Sequence, residues 1–582
     1  MPDRNSLSAA CWVTTAVLGC FLCVLQLAVM LDLMAGRHGF RALAPLSLAS
    51  ALIFGYWLAG RENLTGRLRW APSACALLVI FISVALSAFF YDLSWDGEWY
   101  QQTAVINIAR DWNPIFDPMH EFAKHLQLWV RHYSKGPWYI AAAVYQTTGH
   151  IEWGKFIPWT ALAAAFFATF AACLDLDLSP RAATAVASLL ALNPVTTSEL
   201  PTYLVDGIMF CFLAVCVAAI VSTLYKPRLS TAFAGVTAAI VAINAKFTGL
   251  VFLCFLLAAF GLWILFRQRA QSLRYIAIAT GTLVLGTCIW GYNPYVTNTI
   301  YRHQPFYPVL GSASYPSLAQ QGRDGIDRYE TPKNIMGRNR FIRFGYAIFG
   351  RPGNQPYRIG RNASLMWPFA ARPSDLYCYT YHETRVAGFG PWFSGCFLLA
   401  IPLAVWYMLR DPSATSALLL AASTITASLI LSPQLWWPRY GPQLWLLPLV
   451  PLFFVLRKPC SRRQLQFAWG VVFVLLVNAL IVATIRMRWE IGHTIALRHQ
   501  LQQLHDSGKE YTVSTRYFSD SAEVRLTEAG VRYQNIGMKK IAHAEELISV
   551  VEGYPDPIRF VPFGDPPPQP PANPGTHTGR LN

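Results

Sequence analysis

The sequence has few charged residues for its length. Asp, Glu, Lys and Arg make up 13% of its 582 residues, whereas soluble domains carry about 25%. Because so few side chains need water, much of the surface of this protein cannot face water. The composition therefore excludes an ordinary soluble protein and indicates a polytopic integral membrane protein.

Several common motifs are also missing. The sequence has no Gly-rich phosphate cradle, Walker motif or HExxH zinc motif. Most of its twelve cysteines lie in apolar runs and the C-terminal tail has none, so no disulfide framework is predicted. Cys20 and Cys23 form a CxxC inside a continuous apolar run, where a packed thiol pair is a better interpretation than a metal or redox site.

What the sequence does contain suits a membrane. Apolar residues make up 54% and aromatic residues 14%, with 20 Trp, which is typical of a protein with two interfacial aromatic belts. The net charge is +16, and the basic residues lie between apolar runs rather than in one basic domain. Anionic lipid headgroups and phosphate-bearing substrates are therefore expected partners, and nucleic acid is not. Part of the excess reflects the positive-inside bias.

We predict an all-α polytopic membrane protein with about thirteen transmembrane helices, a large first outer loop and a small C-terminal α/β outer domain. The predicted spans are 9–34, 41–59, 72–90, 154–174, 181–194, 204–224, 230–244, 247–266, 275–292, 387–408, 414–431, 440–456 and 464–484. Residues 1–71 hold two N-terminal helices, and 72–484 form a transmembrane core with outer loops 91–152 and 293–386. Residues 485–565 form the outer α/β domain, and 566–582 a Pro-rich disordered tail.

Basic residues in the short loops predict the orientation. They follow the second, sixth, eighth, tenth and twelfth spans, for example Arg61, Lys226 and Arg457. The positive-inside rule then places the N-terminus in the cytoplasm and the C-terminal domain outside, in a plasma or inner membrane. This requires that Gly136–Gly149 does not cross, because one more span would invert every later loop. We interpret it as a re-entrant or interfacial helix on the outer side.

The first outer loop is the strongest candidate for chemistry. Asp96 and Glu98 lie among Trp95, Trp99 and Tyr100, directly after a span. A carboxylate can remove a proton from a hydroxyl, and aromatic rings stack on the apolar face of a sugar. Helix caps and interfacial anchors are the structural alternatives for the same residues.

Further candidates are charged residues beside other outer ends of spans. Asp206 lies just inside the sixth span, where an ionisable residue is costly and tends to be functional. Basic residues at the outer ends of spans would contact a phosphate at the depth of the lipid headgroups. The alternative is that these side chains only anchor the helices to lipid headgroups. The predicted phosphate-binding residues are Arg131, His132, Lys135, Lys246, Arg385 at the end of the basic loop 293–386, Arg439 and its neighbour Tyr440.

No cofactor is predicted with certainty. The histidines of the first outer loop, His120, His125 and His132, are spaced five and seven apart, which is not a typical metal-ligand pattern. A divalent ion held by Asp96, Glu98 or His132 stays open.

The order of these features resembles the GT-C glycosyltransferases, in the broad group of protein O-mannosyltransferases and aminoarabinose transferases. An acidic first outer loop is followed by KGPWYIAAAVYQTTG at 135–149 and LNPVTTSELPTYLVDG at 192–207, with looser support from RYGPQLWLLP at 439–448. The likeness covers about residues 72–290. Mannosyltransferases carry an adjacent Asp-Glu where this chain has Asp96–Gly97–Glu98, so which carboxylate is the base stays open. Two spans precede the span that leads into the large loop, where the family commonly has one.

The resemblance implies a membrane glycosyltransferase that moves a sugar from a polyprenyl-phosphate donor to a protein, lipid or glycan acceptor on the outer face. Asp96 or Glu98 would be the general base, and Asp206 would orient the acceptor or assist a metal. Lys135, Lys246 and Arg439 would stabilise the leaving phosphate. The alternatives are a transporter or flippase of a lipid-linked saccharide and a non-catalytic membrane assembly subunit.

Overall fold

The computed structural model describes residues 3–267, 272–320, 331–353, 362–459, 461–515, 518–537, 539, 541, 544–547 and 559–562. The chain divides into two compact units, Met1–Ile491 and Gly492–Asn582. The predicted Pro-rich tail 566–582 lies outside the described residues, as do Asp324, Asp327 and Glu330 of the basic loop.

The first unit is helical. Its helices, the last of which continues into the second unit, are α1 (Arg4–Met34), α2 (Leu43–Arg61), α3 (Arg67–Phe89), α4 (Gln102–Arg110), α5 (Gln127–His132), α6 (Gly136–Thr148), α7 (Phe156–Asp175), α8 (Pro180–Ala191), α9 (Pro194–Glu199), α10 (Asp206–Tyr225), α11 (Leu229–Ala245), α12 (Phe247–Arg267), α13 (Ser272–Val284), α14 (Thr297–Arg302), α15 (Arg340–Phe349), α16 (Pro373–Leu376), α17 (Phe393–Arg410), α18 (Pro412–Leu431), α19 (Leu446–Arg457) and α20 (Arg462–Asp506).

The multi-pass helical class is confirmed, but the predicted count of thirteen spans is not. Among the described residues, nine helices are long and apolar enough to cross a membrane, and three more are shorter apolar helices, Leu229–Ala245, Thr415–Leu431 and Pro442–Arg457. The predicted fifth span, 181–194, is the 12-residue helix α8, well short of the roughly 20 residues that a straight crossing needs.

The short segment at 136–149 forms the 13-residue helix α6, which begins with a Pro in its first turn and ends at Gly149 with φ +74°. Residues 136–144 of this helix are all buried. This helix therefore packs against other parts of the protein. Gly136 makes this close approach feasible, because a Cβ there would lie 2.8 Å from Cβ of Asn244.

The antiparallel helices give the first unit two ends. The basic end holds the turns after α2, α7, α10, α17 and α19. Asp175 ties this end together by accepting hydrogen bonds from Trp12 Nε1 at 2.9 Å and Arg228 Nη1 at 2.6 Å. The opposite loop end holds residues 90–155, 192–205, 290–320, 331–353 and 362–392 and the turns at 246 and 432–445. It is joined, for example, by Tyr203 N, which donates to Asp92 Oδ2 at 2.7 Å.

The second unit contains a small four-stranded sheet with one helix, α21 (Ser519–Glu528). The strands are β1 (Glu510–Ser514), β2 (Arg532–Asn535), β3 (Glu545–Glu546) and β4 (Arg559–Pro562), in the order β2-β1-β4-β3. β1 and β2 are parallel, joined through α21 as a parallel pair requires, and β4 runs antiparallel to both β1 and β3. Tyr511, Val513 and Phe560 are buried in its core. A small C-terminal α/β unit was expected, and the sheet is present.

Candidate active site

The segment that carries Asp96 is fixed by the buried carboxylate of Asp92. Asp92 Oδ1 accepts hydrogen bonds from Ser94 N at 2.8 Å and Ser94 Oγ at 2.6 Å. The chain then enters a π-helical turn, Gly97–Gln101, which leads into α4. Only glycine fits at position 97, because a Cβ there would lie 2.0 Å from Asp92 Oδ2. Asp96 is thus held at the start of a helical turn at the loop end.

Arg439 is the centre of an ion cluster that joins four distant parts of the chain. Its Nη2 lies 2.8 Å from Asp96 Oδ2, and its Nε lies 3.3 Å from Asp206 Oδ2. Its Nη1 also binds Glu383 Oε2. The guanidinium group therefore contacts three carboxylates, one through each nitrogen. The contacts of Nη1 with Glu383 and of Nη2 with Asp96 are charge-assisted hydrogen bonds, which are about twice as strong as neutral ones.

Lys246 extends the cluster on the side of Asp206. Its amine pairs with Asp206 Oδ1 and lies 4.7 Å from the ring centroid of Tyr440. Asp206 begins α10, and Lys246 occupies the extended residue between α11 and α12. Each charge thus sits where a helix begins or ends.

Glu199 and Arg385 complete the cluster. Glu199 Oε2 accepts a hydrogen bond from Gly207 N at 2.7 Å, at the first turn of α10. Arg385 Nη2 lies 3.4 Å from Glu383 Oε1, and its guanidinium lies 4.4 Å from the ring centroid of Trp437. Weakly hydrated guanidinium groups favour such stacked positions.

Burial sets the proton balance of this cluster. Its carboxyl groups belong to Asp96, Glu199, Asp206 and Glu383, and its cations to Lys246, Arg385 and Arg439. Full ionisation would leave one excess negative charge, which burial disfavours. Burial raises the pKa of Glu383 to about 7, against the lowering effect of Arg439. It also raises the pKa of Glu199, with a further contribution from Asp206. The cluster is therefore expected to retain a proton near neutral pH.

Access differs among the acids. The side chain of Asp96 is 21% exposed, against 9% for Glu383 and 1% for Asp206. Asp96 is therefore the carboxylate of these three that a substrate can reach most directly. Glu98, the other predicted base, is completely buried.

A half-buried aromatic wall begins beside Asp96. The ring centroids of Trp95 and Trp99 are 6.2 Å apart, those of Trp99 and Trp129 are 6.0 Å apart, and those of Trp129 and Tyr133 are 5.2 Å apart. Rings at such spacings offer a broad apolar surface with polar edges. Carboxylate and aromatic surface thus lie next to each other, as the sequence pattern in this loop predicts.

The predicted cations at 131–135 are engaged elsewhere. Lys135 is completely buried, and its amine donates to the carbonyl oxygens of Arg131 at 2.9 Å and Tyr133 at 3.0 Å. Burial lowers the pKa of this amine. His132 Nδ1 lies 2.7 Å from Asn298 Oδ1, and burial lowers the pKa of His132 to about 3, so it is neutral at pH 7. These side chains are built into the protein interior rather than presented to solvent.

A metal site does not emerge from the predicted ligands. No group of three or more His, Cys, Asp or Glu in the described ranges is arranged to hold an ion. Asp96 is paired with Arg439, and His132 with Asn298.

Two acids of the cluster were missed by the sequence reasoning. Glu383 precedes Arg385 in a polar, basic loop, and Glu199 lies in the segment that supplied Asp206. Both lie near predicted spans, Glu383 four residues before 387–408 and Glu199 five residues before 204–224, but neither was among the predicted site residues. The one sequence signal for Glu199 was its position in the short segment SEL at 198–200, which lies between two prolines.

Comparison with known proteins adds little to this geometry. No family model and no curated protein matches the chain. A solved structure of ArnT from Cupriavidus metallidurans, bound to undecaprenyl phosphate, is similar with a TM-score of 0.44 and 13% identity, covering 84% of this chain and 96% of that one. A likeness at this level assigns neither family nor activity.

Proposed function

We propose that the protein is a membrane glycosyltransferase of the GT-C kind, which moves a sugar from a polyprenyl-phosphate donor to a hydroxyl group of a protein, lipid or glycan acceptor. The observation that carries the proposal is the ion cluster. Asp96, Asp206 and Glu383 share one guanidinium group, and Lys246 lies beside them. A charged cluster at the end of apolar helices is costly and suits a reaction that moves a proton and a phosphate together.

The membrane orientation follows from the two ends of the first unit. The basic turns lie at one end, so the positive-inside rule assigns that end to the cytoplasm. The ion cluster would then face the outer side of a plasma or inner membrane, at headgroup depth. A polyprenyl tail would lie among the apolar helices while its phosphate meets the cluster.

In the proposed reaction, the acceptor hydroxyl oxygen attacks the anomeric carbon of the donor sugar. The bond from that carbon to the phosphate oxygen breaks, and polyprenyl phosphate leaves with the bonding electrons. Asp96, the most accessible of the three carboxylates on Arg439, takes the hydroxyl proton. Lys246 and Arg385 would offset the charge that develops on the leaving phosphate. No step requires a cofactor.

The aromatic wall supports a sugar as the transferred or accepting group. Trp95, Trp99 and Trp129 form this wall. All three are half-buried, and Trp95 directly precedes Asp96. Rings of this kind stack on the apolar faces of sugars and leave their hydroxyl groups free for a base.

A transfer assay in membranes tests the proposal. A panel of polyprenyl-phosphate sugars would be offered to wild type, Asp96→Asn and the control Asp111→Asn, whose side chain is exposed in the same loop. We expect Asp96→Asn to lose about 10²- to 10⁴-fold in rate, the usual contribution of a general base, and Asp111→Asn to match wild type. Equal rates in all three proteins would refute Asp96 as base.

The same preparations separate the alternative functions. If Asp96→Asn and Glu98→Gln leave transfer intact but stop movement of a lipid-linked saccharide across the membrane, the protein is a transporter. If the wild type transfers no sugar from any donor, and neither substitution changes any measured flux, an assembly role replaces both.

A further inference from the structure

A second group of buried charges lies behind the ion cluster, and Arg486 of α20 belongs to it. The Arg486 side chain has no exposed surface and pairs with Glu490, one turn further along the helix, at 2.5 Å. Its Nε donates to the carbonyl oxygen of Ser198 at 3.2 Å, and its Nη1 donates to the carbonyl oxygen of Thr380 at 2.7 Å. One guanidinium group thus ties two loop segments to a single helix.

These two segments carry acids of the ion cluster. Ser198 directly precedes Glu199, and Thr380 lies three residues before Glu383. Glu199 joins the cluster through Gly207 N, and Glu383 joins it through Arg439. The distance between the two segments is therefore set in part by the width of the Arg486 fork.

The other members of this group hold the remaining site segments. Lys155 pairs with Glu152 at 2.7 Å, and Glu152 Oε2 accepts a hydrogen bond from Asp92 N at 3.0 Å. Asp92 in turn binds Tyr203 N, three residues before Asp206. These contacts therefore link Lys155 and Glu152 to segments that lie close in sequence to Asp96 and Asp206.

Stability alone is a poor explanation for these buried charges. Replacing a buried ion pair with apolar residues of similar size is often neutral or stabilising. Hydrogen bonds from a rigid, planar fork give directional control that apolar packing does not provide. A buried guanidinium that binds two carbonyl groups is suited to fixing a distance.

We propose that Arg486 is a positioning residue, which holds Glu199 and Glu383 at the spacing that Arg439 requires. The proposal rests on the proposed function for its activity readout. Arg486→Lys is the most informative variant, because lysine keeps the charge opposite Glu490 but lacks the planar fork that reaches both carbonyl groups. Arg488→Lys is the matched control, since Arg488 is exposed on the same helix.

The full-length proteins would be compared for kcat, donor KM and pH profile, per amount of folded protein. We expect Arg486→Lys to lower kcat by about 10- to 100-fold, the cost of roughly 1 Å of misplacement. We expect donor KM to change by less than about two-fold, because a change in KM alone would indicate lost ground-state binding, and Arg486 is not proposed to bind the donor. We also expect the midpoint of the pH profile to move, because Glu383 changes its distance to Arg439, Asp96 and Asp206. Arg488→Lys should match wild type.

A merely structural role predicts a different result. Arg486→Lys would then reduce the yield of folded protein, while kcat per folded molecule and the pH midpoint stay at their wild-type values. That outcome would overturn the proposal.

A stability cycle distinguishes failure of this proposal from failure of the proposed function. Thermal unfolding of wild type, Arg486→Lys, Glu383→Gln and the double variant needs no substrate. Arg486 and Glu383 are joined through the segment from Thr380, so the positioning role predicts effects that do not add. Additive effects refute it even in an active enzyme. An inactive wild type with non-additive effects refutes the transferase alone.

Discussion

Replacing Arg439 with methionine is expected to destabilise the protein, and to do so more at high pH than at low pH. The substitution leaves Asp96, Asp206 and Glu383 without their shared guanidinium group, and Lys246 can pair only with Asp206. Removing one partner of a buried ion pair costs about 3–5 kcal/mol. The Arg439 side chain is 9% exposed, so solvent screening reduces this value little.

The pH dependence follows from Glu383. Burial already raises its pKa to about 7, and Arg439 opposes that rise. Without Arg439 the pKa of Glu383 in the folded protein rises further, so this carboxyl holds its proton to higher pH. A raised folded-state pKa gives stability at low pH that is lost as pH rises through that value. Above about pH 7 the variant should therefore lose up to roughly 1.4 kcal/mol per pH unit relative to wild type.

Thermal unfolding of detergent-purified protein, followed by circular dichroism at about pH 6 and about pH 8, measures this effect. Arg439→Met/Glu383→Gln should recover part of the loss at the higher pH, because one of the stranded charges is gone. Arg338→Met is the control, since Arg338 is exposed just before α15. If Arg439→Met and Arg338→Met unfold at the same temperature at both pH values, the ion cluster does not stabilise the protein. The same conclusion follows if the double variant is less stable than Arg439→Met.

Three further outcomes follow from the described contacts. The sugar-transfer rate of wild type should rise with pH through about 7, where the pKa of Glu383 lies, because the cluster then loses the proton that limits its basicity. The initial rates of Glu383→Gln should not show this rise. Lys246→Met should lower kcat by about 10²-fold or more if the amine stabilises the leaving phosphate. Lys124 is an exposed lysine in the loop that carries Asp96, so Lys124→Met should match wild type. Equal kcat values for the two variants would argue against the role of Lys246. Asp175→Asn should destabilise the fold by about 1–3 kcal/mol, because it removes the carboxylate that lies 2.6 Å from Nη1 of the half-buried Arg228 and leaves that arginine the more distant carboxylate of Glu62, at 3.9 Å. The value of kcat per folded molecule should not change. The exposed Asp177→Asn should be as stable as wild type, and a similar loss in both variants would contradict this.

The sequence alone was sufficient for the class of fold, because the length and apolarity of a membrane helix are local properties. The 14 residues of Gly136–Gly149 predicted a segment too short for a straight crossing, and the structure forms the 13-residue buried helix α6 there. The number of spans could not be predicted in the same way. The run at 181–194 forms only the 12-residue helix α8, and a helix buried by neighbouring helices has the same composition as one in lipid.

Some residues of the candidate site could be predicted from the sequence and others could not, for the same physical reason. Asp96, Asp206, Lys246 and Arg439 were selectable because a charge beside an apolar span is costly and therefore conspicuous. Glu383 was not selected, although it lies four residues before the predicted span 387–408, because nothing in the local sequence of this loop indicates that its carboxylate pairs with a distant arginine. Only the folded chain brings it to Arg439. Tertiary structure likewise decided that Lys135 is buried against carbonyl groups. The sequence determines which side chains are expensive to place near lipid, and the tertiary structure alone decides which of them compensate one another, because ion pairing depends on distances between segments hundreds of residues apart.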